Sequence, residues 1–520
     1  MKIFKSTLLV LGTALLFASC GETPTSATTG WNLNDPEWGG FEVSEYNEQV
    51  TGPGLVFIEG GAFTMGRVAD DARYRWDNKA HTVTVSSFYM DETEVPNRYY
   101  REFVYWMQRA YGEEYPERVR DIYPDTNAWR DRLAWREGLV DYYFQSPIYD
   151  EYPVVGVSWE QACKFCTWRT DRVNEKILVD MGIILLDQTD LNGESAFQTD
   201  VYLAGQYRGE AGEELENLDP AAGGEPRQVR KTDGILLPSY RLPTEAEWEF
   251  AALGIVGNTY DERVVEHKTY PWAGQSLRSA NKKYYGQFLA NFKRSRGDAM
   301  GVAGNLNDGW EYTAPVKWYF PNDYGLYHMA GNVAEWCGDV YRKDVNPIGA
   351  DDQNPYRGNV YKYVAMSEDG EEAAIDETTG NLIYENVPDD MNRRNYRQAD
   401  NINYLDGDWN SSIYDFETKE STAASGWLKE VDEEEAEDSE YVRSDEEQTN
   451  QMYHRADSLD RANITSMVNN RVRVVKGGSW KDRAYWMQCG TRRYYDQDRS
   501  TEWIGFRCAM DRMGSRTINN

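Results

Sequence analysis

Six cysteines and four histidines are the side chains of this 520-residue chain best suited to metal or nucleophilic chemistry. Cys163 and Cys166 form a C-x-x-C, the spacing of a redox pair or of half a zinc site. No second C-x-x-C and no histidine pair completes a zinc site. His81, His267, His328 and His454 are scattered, with no Ser-His-Asp order or His-metal spacing among them. Acidic side chains occur throughout, so no two carboxylates stand out as general acid and base. The stretch RVRVVKGGSWKDRAYWMQCG (471–490) contributes one thiol, Cys489, and has no cysteine between Lys481 and Gln488.

The elements that must position these groups are short. LVFIEGGAFTMG (55–66) predicts two strands about a Gly60-Gly61 turn, and the alternation in HTVTVSSFYMDETEV (81–95) predicts a strand. Tyr99, Phe103 and Met107 recur at helical spacing after Asn97. Ser158-Trp-Glu-Gln161 and Thr244-Glu-Ala-Glu247 match the capping-box pattern, each predicting the start of an amphipathic helix. Residues 270–336, rich in Gly, Asn, Pro and aromatics, predict loops and short strands. Two insertions, at about 172–240 and 343–470, interrupt this body. In the second, eleven of the eighteen residues 430–447 are acidic, the composition of a solvated loop.

Charge limits the partners. With 87 acidic and 55 basic side chains the net charge is -32, which argues against a nucleic-acid phosphate backbone. The first residues have another purpose. Lys2 and Lys5, an apolar run from Leu8 to Phe17, then Ala18, Ser19 and Cys20 read as a secretory signal over 1–19. The signal resembles that of bacterial lipoproteins, with Cys20 as the lipidated residue and 20–54 as an N-terminal tether. The apolar run is well short of the ~20 residues needed to span a bilayer. Setting Cys20 aside leaves five cysteines, an odd number, so at least one thiol stays outside any disulfide within the chain.

Eight segments in order carry a resemblance: GGAFTMG (60–66), FYMDETEVPNRYYREF (88–103), PVVGVSWEQACKFCTW (153–168), RLPTEAEWEFAA (241–252), YPWAG (270–274), APVKWYFPNDYGLYHMAGNVAEW (314–336), RVVKGGSW (473–480) and GFRCAM (505–510). Together they resemble the formylglycine-generating-enzyme family, also called sulfatase-modifying factors. The fold this implies is α+β, of the formylglycine-generating-enzyme type and related to C-type lectins. It has little regular secondary structure and here would occupy 55–512 with the two large insertions.

The family oxidises a substrate cysteine to an aldehyde-bearing residue, using oxygen and copper held by two thiolates. Copper(I) is soft and selects such ligands. The resemblance places those thiolates two and seven residues after Trp480, at Asp482 and Met487, or at Trp486 with a one-residue gap; no thiol stands at any of them. No copper is therefore expected, nor catalysis. The resemblance further implies a Cys166–Cys508 disulfide. It implies calcium at Asn291, Phe292, Asp308 and Trp310, and a second set at Met329, Gly331, Val333 and Glu335. There His328 replaces the family's Asn or Asp.

The lipoprotein signal, the segments 26–42 and 51–61, and the acidic insertions resemble the gliding-motility lipoproteins of Bacteroidetes. This implies a structural, non-catalytic component of the type IX secretion and gliding machinery. It would be lipid-anchored on the periplasmic face of the outer membrane, with GldK-like lipoproteins and their ring partners as neighbours. Two other functions remain open on the residues alone: a glycan- or peptidoglycan-binding module using Trp310, Trp318 or Trp486, and an oxidase of the sulfatase-modifying type.

Overall fold

The computed structural model describes residues 24–44, 48–66, 78, 80–131, 135–186, 191, 193, 195–257, 268–294, 309–341, 362–367, 374, 383–386 and 471–514. Cys20, His267, Asp308, His454 and most of the 343–470 insertion lie outside these residues.

Strands β1 (Leu55–Ile58), β2 (Gly61–Met65), β3 (His81–Val85) and β4 (Phe88–Asp91) open the main body. The turn between β1 and β2 sends them to different partners, β1 to β4 and β2 to β3. Gly60 is required there, because a Cβ would meet Val85 O at 2.3 Å. The single strand expected over 81–95 is two strands, broken at Ser86-Ser87.

Five helices follow: α1 (Asn97–Tyr111), α2 (Pro116–Ile122), α3 (Glu137–Tyr142), α4 (Trp159–Asp180) and α5 (Thr199–Leu203). Both capping boxes form. Gln161 N–H donates to Ser158 Oγ at 3.2 Å, while Ser158 N–H donates to Gln161 Oε1 at 2.9 Å. The second box starts α6 (Glu245–Leu253), where Thr244 and Glu247 exchange the same two bonds at 3.1 and 2.9 Å. Tyr100 and Phe103 of α1 pack on Phe165 of α4, which meets Phe506 at 5.3 Å between ring centroids. This aromatic core holds α1 and α4 together.

Against the expectation of an amphipathic helix, every residue of α6 is buried. Burial succeeds because its three glutamates are neutralised. Glu245 pairs with Arg492, Glu247 with Arg241 and Glu249 with Lys476. Unpaired, each would bear a large desolvation penalty.

The remaining strands are β5 (Tyr240–Arg241), β6 (Ala334–Val340), β7 (Lys362–Val364), β8 (Tyr384–Asn386), β9 (Val472–Lys476), β10 (Arg493–Asp496), β11 (Ile504–Gly505) and β12 (Ala509–Asp511). They make one sheet of order β1-β4-β12-β5 and another of order β10-β9-β6-β11. β7 and β8 pair antiparallel inside the 343–470 insertion.

A second compact unit takes in the described residues of 24–48, together with 177–186 and 210–236. Within it the segment expected as a tether is folded from at least residue 24. Asp35 caps a 3-10 turn at Pro36–Trp38, and Glu42 pairs with Arg227 while accepting from Leu218 N–H at 3.0 Å. The first insertion is also divided, since 187–209 belong to the main body. There Asp171 accepts from Thr199 N–H at 2.8 Å. Among the described residues no helix is long and apolar enough to cross a membrane.

Candidate functional site

The chain leaves buried β9 through Gly477 and Gly478, with φ of +89° and +68°. A Cβ on Gly478 would lie 2.8 Å from Trp486 O, so two glycines let the loop fold back on its own continuation. The turn is fastened to the 328–335 segment: Gly331 N–H donates to Gly477 O at 3.0 Å, and Trp480 N–H to Asn332 O at 2.8 Å. Trp480 is buried, edge-on to Tyr312 at 5.2 Å and stacked on Trp129 at 6.2 Å.

Asp482 closes this turn. Its Oδ2 accepts from Ser479 N–H at 3.1 Å and Ser479 Oγ at 2.6 Å, and pairs with Arg493. Arg493 in turn lies over the Trp486 and Trp503 rings. Met487 is fully buried among Tyr270, Ala290, Phe292 and Ala330. Cys489 is fully buried elsewhere, and burial pushes its thiol well above the ordinary range.

Beside the turn runs a polar network. Asn291 Nδ2 donates to Tyr312 O at 2.6 Å, and its carbonyl accepts from Asn332 N–H at 2.9 Å. Asn332, at a φ of +64°, donates to buried Glu94 at 2.7 Å, and Val333 N–H donates to the same carboxylate at 3.1 Å. Burial, reinforced by neighbouring Glu335, raises Glu94 well above the usual carboxylate range. Glu335 receives Arg507 through two contacts of 2.6 Å, and Trp248 Nε1–H at 2.7 Å. His328, at a φ of +54°, faces Pro315 O through Nε2 at 3.0 Å. Trp310 packs edge-on against Trp318 at 4.9 Å.

Cys166 and Cys508 are both buried, with their sulfurs 3.5 Å apart as free thiols. Cys163 faces a different cavity, and its thiol is pushed up to about 12 by burial.

The sequence matches the Sulfatase-modifying factor enzyme 1-like domain over residues 40–384 and 426–512. The chain belongs to this family. It is 26% identical over 320 residues to a formylglycine-generating enzyme of Thermomonospora curvata, covering 58% of this chain and 77% of that protein. It is also 26% identical over 318 residues to the inactive C-alpha-formylglycine-generating enzyme 2 of Mus musculus, covering 58% and 71%. Among solved structures, PvdO from Pseudomonas aeruginosa aligns over 88% of this chain and 94% of its own, with 15% identity and a TM-score of 0.39. By the family match the fold is that of the sulfatase-modifying family, mixed helix and sheet with little regular structure.

Copper of the family's kind does not fit the residues at the Gly477–Met487 turn. The Asp482 carboxylate is committed to Ser479 and Arg493, and the Met487 thioether is packed among apolar side chains. Neither supplies a thiolate. The calcium sets differ from each other. In the second, the one carboxylate, Glu335, is held by Arg507; Met329, Gly331 and Val333 bring only backbone oxygens. In the first, Asn291, Phe292 and Trp310 stand beside the turn, while Asp308 lies outside the described residues. A hard cation prefers several oxygens including carboxylates, and among the described residues neither set offers a carboxylate that is not already ion-paired.

Glu94, Asn332, Arg507 and Arg493 organise this region and were not singled out by sequence reasoning. Glu94 and Asn332 lie inside recognised segments, but their pairing spans 238 residues.

Proposed function

We propose that this chain is a non-catalytic, lipid-anchored scaffold lipoprotein of the GldJ type, with the paralogous GldK type as the alternative. Acyl chains on Cys20 would hold it at the periplasmic face of the outer membrane. Its partners would be components of type IX secretion and gliding motility. The observation that carries the non-catalytic half is the occupied turn: where the family's oxidase places two thiolates, this chain has an ion-paired aspartate and a buried methionine. A relative named an inactive formylglycine-generating enzyme is consistent with the same reading. Loops on a rigid body suit binding, and the insertions supply them.

Crosslinking in outer membranes followed by capture of the tagged full-length chain tests the scaffold. Recovery of secretion or motility components is expected; recovery of a modified sulfatase contradicts it. A glycan-binding reading rests on Trp318 and Phe320, exposed at 59% and 55%. Trp310 and Trp486 are half-buried and less available. Co-sedimentation with isolated cell wall, abolished by Trp318→Ala, would favour that reading.

In an oxidising envelope, Cys166 and Cys508 close to the ~2.05 Å of a disulfide. Non-reducing peptide mapping is expected to find that linkage, and reduction to cost about 2–4 kcal/mol in urea unfolding. Alkylation of both thiols without reductant contradicts it. We propose that calcium is held by the first set, because the carboxylate of the second is ion-paired to Arg507; metal analysis of a chelator-washed, calcium-reloaded chain is expected to find one calcium, lost in Asn291→Ala. Two equivalents would contradict the assignment.

A further inference from the structure

A half-open cavity of about 370 Å³ lies in the main body, walled by α1, α2 and α4 and reached by Tyr384 of β8. It shares no residue with the Gly477–Met487 turn, and its volume falls within the range of small-molecule sites. Its inner wall is aromatic, made by Phe103, Trp106, Trp168 and Phe197. Thr167 and Tyr384 are exposed at the mouth.

The charged side chains of the lining itself are mostly basic, with Asp121 and Asp200 close outside it. Acidic side chains outnumber basic ones 87 to 55 in the sequence, yet this lining carries Arg118 and Lys164 against one carboxylate, Asp171. Asp171 is engaged by Thr199 N–H at 2.8 Å at the start of α5. Lys164 is 41% exposed and its nearest acid, Asp121, is 3.6 Å away, a loose surface pair worth little. Arg118 lies over the Tyr111 ring at 3.8 Å, so its charge is held at the cavity edge. Cationic ligands find the Trp106 face already covered by Arg172, also at 3.8 Å.

We infer that this cavity binds a small amphipathic anion, with an aliphatic or aryl body against the aromatic wall and an acidic head beside Lys164 and Arg118. The apolar body gains by leaving water, and the head gains charge-assisted hydrogen bonds at the mouth. The inference stands apart from the scaffold reading and survives or fails without it.

Isothermal titration of the full-length chain with decanoate and with decylammonium tests it. One decanoate per chain is expected, with decylammonium at least tenfold weaker. Lys164→Glu is expected to weaken decanoate at least tenfold. Thr167→Trp, which fills the mouth from an exposed helix position, is expected to abolish binding with the melting temperature unchanged. Cys163, in the same wall, gives a readout on the unaltered chain: decanoate slows its alkylation and decylammonium does not. Equal binding of the two amphiphiles, decanoate binding that persists in Thr167→Trp, or unprotected Cys163 at saturating decanoate would each overturn the inference.

Discussion

Arg507→Met is expected to destabilise the fold by about 3–5 kcal/mol, the range for removing one partner of a buried ion pair. Arg507 and Glu335 are both fully buried and meet through two 2.6 Å contacts. Arg507 also donates to Asp91 O at 3.1 Å and Tyr327 O at 2.8 Å, tying β4 and the 327–335 segment to the chain end. Methionine matches the stem but leaves the buried Glu335 carboxyl without its cation and beside Glu94. The double variant Arg507→Met/Glu335→Leu removes that stranded carboxyl and is expected to recover much of the loss. Urea unfolding of the four proteins of the cycle measures this. A single variant within 1 kcal/mol of the parent would mean the pair does not organise the domain.

The second large effect is on acid stability. His328 is buried with its pKa lowered from 6.5 to about 3, mainly by burial and further by repulsion from Arg507. The unfolded chain therefore binds a proton that the folded chain refuses in the window from 6.5 down to 3. Stability rises with pH where the unfolded state holds more protons. The neutral imidazole's contribution is thus intact above pH 6.5 and lost progressively as pH falls towards 3. At ~1.4 kcal/mol per pH unit, the loss reaches about 3 kcal/mol by pH 4. His328→Asn is the apt variant, because asparagine tolerates the +54° φ and does not titrate. The parent is expected to lose about 3 kcal/mol more than the variant between pH 7 and pH 4. Parallel pH profiles would contradict the buried neutral state.

Local chemistry was legible from the sequence and distant pairing was not. Ser158–Gln161 and Thr244–Glu247 announced their helices because a capping box is closed within four residues. The β1–β2 turn was readable from Gly60-Gly61 for the same reason. The burial of α6 was not readable, since Glu245 and Glu249 are neutralised by Arg492 and Lys476, 247 and 227 positions away. The folding of residues 24–44 was missed likewise, because Glu42 meets Arg227 across 185 positions. Nothing in a Gly- and Ser-containing opening announces that partner. At the site, the absence of thiols at Asp482 and Met487 was visible, but the structure that stands there was not. Arg493, which pairs with Asp482, sits eleven residues on in a strand with no distinguishing pattern.

The non-catalytic assignment is tested most directly by incubating the purified chain with copper(I), oxygen and a cysteine-containing sulfatase peptide, and following the peptide by mass spectrometry. The expected result is unchanged cysteine alongside full conversion by an active formylglycine-generating enzyme run in parallel. Aldehyde-bearing peptide formed at a rate that scales with the amount of this chain would contradict it.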